Sequence, residues 1–160
     1  MSSIAEVAEQ TVNNTLHIVG IGASAGGVQA LQALFEGLPE DTGAAFVVIL
    51  HLHPHIQSEL ASIISARTRM PVLQVSAEEH LQANHVYVIP PDRRLRLTDD
   101  RISTAEFEEP RGQRAPIDLF FRSLAEQHSD GFAIILTGAG SDGAAGAARH
   151  ARSLPGAQRP

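Results

Sequence analysis

The stretch Leu16-His17-Ile18-Val19-Gly20-Ile21-Gly22-Ala23-Ser24-Ala25-Gly26-Gly27 decides the fold. Leu16–Ile21 is a short apolar run that stops at glycines, and it reads as a buried strand. Gly27–Phe35 follows with apolar Val28, Leu31, Leu34 and Phe35 at helical spacing. The alternation then repeats. Ala45–Leu50 predicts a second buried strand, and Pro54 introduces a helix carrying Ile56, Leu60, Ile63 and Ile64. Val72–Val75 and His85–Ile89 are further strand candidates, and Pro90-Pro91-Asp92 is a turn. Leu95–Leu97 and Arg101–Ser103 suit an antiparallel hairpin across Thr98–Asp100. Glu106–Ala115 lacks periodicity and reads as a loop. Pro116 suits the first position of a helix running to about His128. Phe132–Thr137 predicts a late buried strand, and Ala144–Ala151 a helix. Continuous apolar strands alternating with helices mean an α/β fold, a doubly wound and mainly parallel sheet with helices on both faces.

Composition narrows the chemistry. At 160 residues, 43% hydrophobic and 19% charged, the chain has the profile of one soluble globular domain. It contains no cysteine, so thiolate zinc sites, disulfides and cysteine nucleophiles are excluded. All twelve basic residues are arginine, which removes Schiff-base chemistry and the P-loop with its obligatory lysine. The net charge of -6 argues against a nucleic-acid partner. Arg93, Arg94, Arg96 and Arg101 form a local basic group best read as a solvated hairpin. No apolar run approaches the roughly 18 residues of a membrane helix. Residues 1–14 lack a signal-peptide pattern and read as a flexible leader, so a cytoplasmic location without membrane insertion is expected.

Ligands bind at the carboxyl ends of strands in open parallel sheets, and three loops gather at that edge. The first, Gly22-Ala23-Ser24-Ala25-Gly26, fits the G-x-S-x-G nucleophile elbow between a strand and a helix. It is also compatible with a weak dinucleotide loop, in which Ala25 takes the third glycine's place, or with a simple N-cap serine. The second is Leu50-His51-Leu52-His53-Pro54-His55. It offers either one catalytic base at His51 or a metal set of His51, His53 and His55. Alternate side chains on an extended segment point in opposite directions, which counts against the metal. The third, Thr137-Gly138-Ala139-Gly140-Ser141-Asp142-Gly143, sets Asp142 just before a helix, either as an N-cap or as the carboxylate that orients a histidine. Together the loops supply a serine, a histidine and an aspartate: nucleophile, base and orienting group. No metal and no cofactor are expected.

Ile18–Gly27 (IVGIGASAGG), Val47–Pro54 (VVILHLHP), His85–Pro91 (HVYVIPP), Glu108–Phe121 (EEPRGQRAPIDLFF) and Leu136–Gly146 (LTGAGSDGAAG) together resemble the CheB-type chemotaxis receptor methylesterases. The likeness is greatest to the methylesterase part of CheB–CheR hybrid proteins. It implies hydrolysis of γ-glutamyl methyl esters on chemoreceptor helices, with deamidation of glutamines as a related activity. It places catalytic roles on Ser24, His51 and Asp142 and an oxyanion donor on the Ala139 N–H, within an oxyanion and substrate loop of Ala25, Gly138, Ala139 and Gly140. Arg111 and Arg114 fall in a family motif that either lies on the substrate side or only orders the loop. A CheR-type methyltransferase domain is an expected partner. The family usually has Gln before the histidine, where this chain has Leu50. The expected organisation is a leader at 1–14, a catalytic domain at 15–150 that stops short of the family's last strand and helix, and an unrelated tail at 151–160. No receiver domain is expected before the core. Two alternatives stand beside this: a metal-dependent hydrolase using His51, His53 and His55, and an inactive, truncated receptor-binding remnant.

Overall fold

A computed structural model describes residues 16–51, 54–136 and 151–153. Six strands form the main sheet in the order β3-β5-β2-β1-β8-β9. Its centre is β1 (His17–Ser24) between β2 (Ala44–His51) and β8 (Phe132–Leu136), both parallel to it. Outside β2 lie β5 (His85–Val88) and β3 (Val72–Gln74), also parallel. At the other edge β9 (Ala151–Ser153) runs antiparallel to β8.

Each face of this sheet has its own core. On one face α1 (Val28–Gly37) and α2 (Pro54–Ser65) bring Leu31, Phe35, Leu60 and Ile64 against Ile21, Ala23, Phe46, Val48 and Leu50. On the other face α3 (Pro116–Gln127) brings Phe120 and Leu124 against Ile18, Ala45, Val47 and Ile49. A second sheet, β4 (Glu78–His80), β7 (Arg101–Ala105) and β6 (Arg94–Thr98), adds Leu95, Leu97 and Ile102 to that second core. Fully burying one such side chain contributes about 1.5–3 kcal/mol, so both layers are substantial.

The predicted fold class holds, with local differences from the expected elements. β1 continues past Ile21 to Ser24 because it is hydrogen-bonded on both sides, which carries the chain straight through Gly20 and Gly22. The predicted hairpin forms and gains β4 as a third strand, whose Glu78-Glu79-His80 sequence has no apolar alternation to announce it. Ala151, expected to end a helix, instead begins β9 through pairing with Ile134. The rest of that predicted helix, 144–150, lies outside the described residues. In the predicted loop, Arg111–Gln113 winds into a short 3₁₀ turn.

Candidate active site

Ser24 and His51 are the last residues of two adjacent parallel strands, and the ladder pairs them directly. Neighbouring strands lie about 4.8 Å apart, so the two backbones are as close as a sheet allows. Alternation along each strand fixes the side on which their side chains emerge. In β2, Ala45, Val47 and Ile49 belong to the α3-side core, and His51 continues that row. In β1, Ile18 belongs to the same core, followed by Gly20, Gly22 and Ser24. Serine and histidine therefore leave the sheet together on the α3 face.

The glycines of that row admit α3. A Cβ on Gly20 would lie 3.1 Å from rings of Phe120 and Phe121, and one on Gly22 only 2.7 Å from Cγ2 of Ile117. The helix thus runs antiparallel to β1, and its start reaches the serine end of the strand. A sharp, strained elbow is not how the serine is presented. Ser24 sits at φ -82°, ψ 171°, ordinary extended backbone, and a 3₁₀ turn at Ala25–Gly27 follows. Of the open readings, the N-cap serine loses ground, because the Ser24 side chain makes no capping hydrogen bond and is exposed. A catalytic hydroxyl needs that freedom.

Two contacts hold this edge. Gly27 lies so near β8 that a Cβ there would be 2.8 Å from the carbonyl oxygen of Leu136. The turn after Ser24 is thereby seated on the strand end from which the third loop departs. The second contact is one the sequence reading missed. Gln57 in the first turn of α2 is buried, and its Nε2 donates to the carbonyl of Leu50 at 2.6 Å. This bond ties down the end of β2 immediately before His51. Leu50 itself is fully buried in the α1/α2-side core. Gln57 was findable: it shares a helical stripe with Leu60 and Ile64, an inward position where a polar residue needs a partner.

Gly138, Ala139, Gly140 and Asp142 lie outside the described residues, as does His53; His55 is the second residue of α2. No group of three metal-ligating side chains gathers among the described residues. His128 caps the far end of α3, where Nε2 hydrogen-bonds the Asp99 carbonyl at 2.8 Å, remote from the serine edge. Arg111 is exposed on the 3₁₀ turn. Arg114 is only 25% exposed and pairs through Nη1 with Oδ1 of Asp92 at 2.6 Å. That arginine, followed by Arg111 and Arg93, holds the Asp92 carboxyl below its ordinary range. No helix among the described residues is long and apolar enough to cross a membrane.

Comparison with known proteins gives one answer throughout. The CheB methylesterase family model matches residues 19–153. A putative protein-glutamate methylesterase/protein-glutamine glutaminase of Leptospira interrogans is 31% identical over 79% of this chain and 66% of its own length. A protein-glutamate methylesterase/protein-glutamine glutaminase of Cupriavidus metallidurans is 37% identical over 81% of this chain. This chain spans 39% of that relative's length. The crystal structure of the Thermotoga maritima CheB methylesterase catalytic domain superposes with a TM-score of 0.67 at 28% identity, covering 82% of this chain and 72% of that one. With the family model matched over most of its length and these relatives beside it, the chain belongs to the CheB methylesterase family.

Proposed function

We propose that this chain is a serine hydrolase that removes methyl groups from glutamate γ-methyl esters of chemoreceptor helices, and that deamidates glutamines there by the same route. The observation that carries the reading is the direct pairing of Ser24 with His51 at one strand edge and on one face. His51 takes the Ser24 proton as the hydroxyl attacks the ester carbonyl. The tetrahedral oxyanion is met by the Ala139 N–H, within the loop of Gly138, Ala139 and Gly140 and beside the backbone of Ala25. Collapse expels methanol, protonated by His51, and leaves a glutamyl-serine ester. Water, activated by His51, releases the glutamate carboxylate and restores the serine. With glutamine the leaving group is ammonia. Asp142 fixes the histidine tautomer and stabilises the imidazolium. General base catalysis contributes about 10²–10⁴-fold and an oxyanion donor about 10²–10³-fold.

The substrate places the reaction in the cytoplasm, and the likeness to hybrid proteins makes a CheR-type methyltransferase domain the matching partner. The test is methanol release from a methylated receptor peptide. Ser24→Ala is expected to lower turnover by about 10³-fold or more while the cooperative melt stays unchanged. A variant that keeps most of its rate would overturn the assignment of the nucleophile.

A further inference from the structure

The segment leading into α3 is placed by the same row of residues that places Ser24. Leu124 and Phe120 meet Gly20, and Ile117 meets Gly22. Each step of two residues along β1 advances about 6.6 Å, and the helix rises about 1.5 Å per residue. The next step along β1 is Ser24, and it falls beneath the residues just before Pro116. On the neighbouring side, Ile89 extends the line of β5 by donating to the Val48 carbonyl at 3.0 Å. Pro90, Pro91 and Asp92 then carry the chain to the level of His51. Segment 111–115 thus runs between the β5 exit, where Arg114 meets Asp92, and the start of α3, at the edge and on the face where Ser24 and His51 leave the sheet.

Arg114 fastens this span. Nη1 binds Asp92 at 2.6 Å, Nε donates to the Glu109 carbonyl at 3.4 Å, and the guanidinium lies 4.6 Å above the centroid of the Phe107 ring. One side chain therefore joins both ends of the loop to the β5 exit. Asp92 holds a left-handed φ of 64°, which aspartate tolerates better than most residues. Two of the five N–H groups and one face of this guanidinium are thereby committed to the fold.

We infer that Arg114 is a positioning residue, whose latch onto Asp92 holds segment 111–115 as one wall of the cleft that receives the substrate ester. The inference rests on the esterase reading above. Its test uses the full chain and a peptide carrying one γ-methyl glutamate. Arg114→Ala should raise KM about tenfold and change kcat less than about threefold. Asp92→Asn, which suits the left-handed backbone and preserves shape, should raise KM in the same sense. Adding it to Arg114→Ala should cost less than about twofold more, because the pair acts as one unit. Arg114→Lys keeps the charge and should recover part of the loss. Arg67→Ala, which breaks the 2.8 Å pair with Glu36 on the opposite side of the sheet, should leave KM unchanged.

Backbone amide exchange at residues 109–115 reads the latch without turnover, and should quicken there in both latch variants. An unmoved KM, a loss confined to kcat, fully additive losses, or unchanged exchange would overturn the proposal. If Ser24 were not the nucleophile, Ser24→Ala would keep its rate while the latch variants still changed the exchange, so the two failures are distinguishable.

Discussion

Towards α1 and α2, β1 presents Val19, Ile21 and Ala23 to Leu31, Phe35, Leu60 and Ile64. Towards α3 it presents Ile18, Gly20, Gly22 and Ser24, and the bulk comes from the helix as Ile117, Phe120, Phe121 and Leu124. The first face is filled by strand and helices alike and anchors the sheet. The second is carved out of the strand, so a helix approaches closely and its entry segment is carried over the row's polar end. The proposed chemistry sits on the face where the strand gave up its side chains.

Several substitutions would break or sharpen this contrast. The largest effect is expected from Gly22→Ala. The new methyl would press on Cγ2 of Ile117, the stiff branch of a β-branched side chain, rather than on a flexible tip. Overpacking of this kind costs about 1–3 kcal/mol. Because the strain falls at the start of α3, esterase activity should drop along with the melting temperature. An unchanged melt and rate would show that the close approach is dispensable.

Gln57→Ala acts from the α1/α2 face. It leaves the buried Leu50 carbonyl without its donor, at a cost of about 1–3 kcal/mol. If the bond positions the base, kcat should fall beyond what lost stability explains. Measuring rate and denaturation midpoint on the same preparation separates the two effects.

The smallest effect is one of pH. The folded-state pKa of Asp92 lies below the ordinary carboxylate value, with Arg114 as the main cause and Arg111 and Arg93 adding to it. The stability contributed by the latch is therefore fully present above about pH 4 and is lost as pH falls through the lowered value. Melting temperatures of the native chain and Asp92→Asn should differ at pH 7 by a constant amount, and converge only in acid. Convergence already at pH 6 would show that another group controls the latch.

Much of this was legible from residue patterns. Apolar runs bounded by glycine and proline gave β1, β2, β5 and β8, and the helical spacing of Val28, Leu31 and Phe35 gave α1. Ser24 is marked by its G-x-S-x-G setting and His51 by following directly on a run of buried residues. What was not legible depends on pairing. Register decides that Ser24 faces His51 and that both face α3, and no local pattern encodes register between segments 27 residues apart. The strand identity of Glu78–His80 and Ala151–Ser153 likewise comes from partners, as does the straight path of β1 through its glycines. Gln57 belongs to no motif and is marked only by its inward place on the stripe of Leu60 and Ile64. The motif leaves Arg114 either on the substrate side or ordering its own loop, and Asp92, 22 residues earlier, has no signal in sequence to claim it.

The strand order also has a consequence for how the protein comes into being. β1 finds one neighbour soon, in β2, but Ala23 pairs with Leu136, 113 positions later. During synthesis this strand must wait, one flank bare, until Leu136 has emerged. Such long-range closure slows folding, and a bare central strand invites pairing with other chains. The nascent protein is therefore vulnerable to aggregation in the interval before β8 arrives, and the serine edge gains its second flank only then.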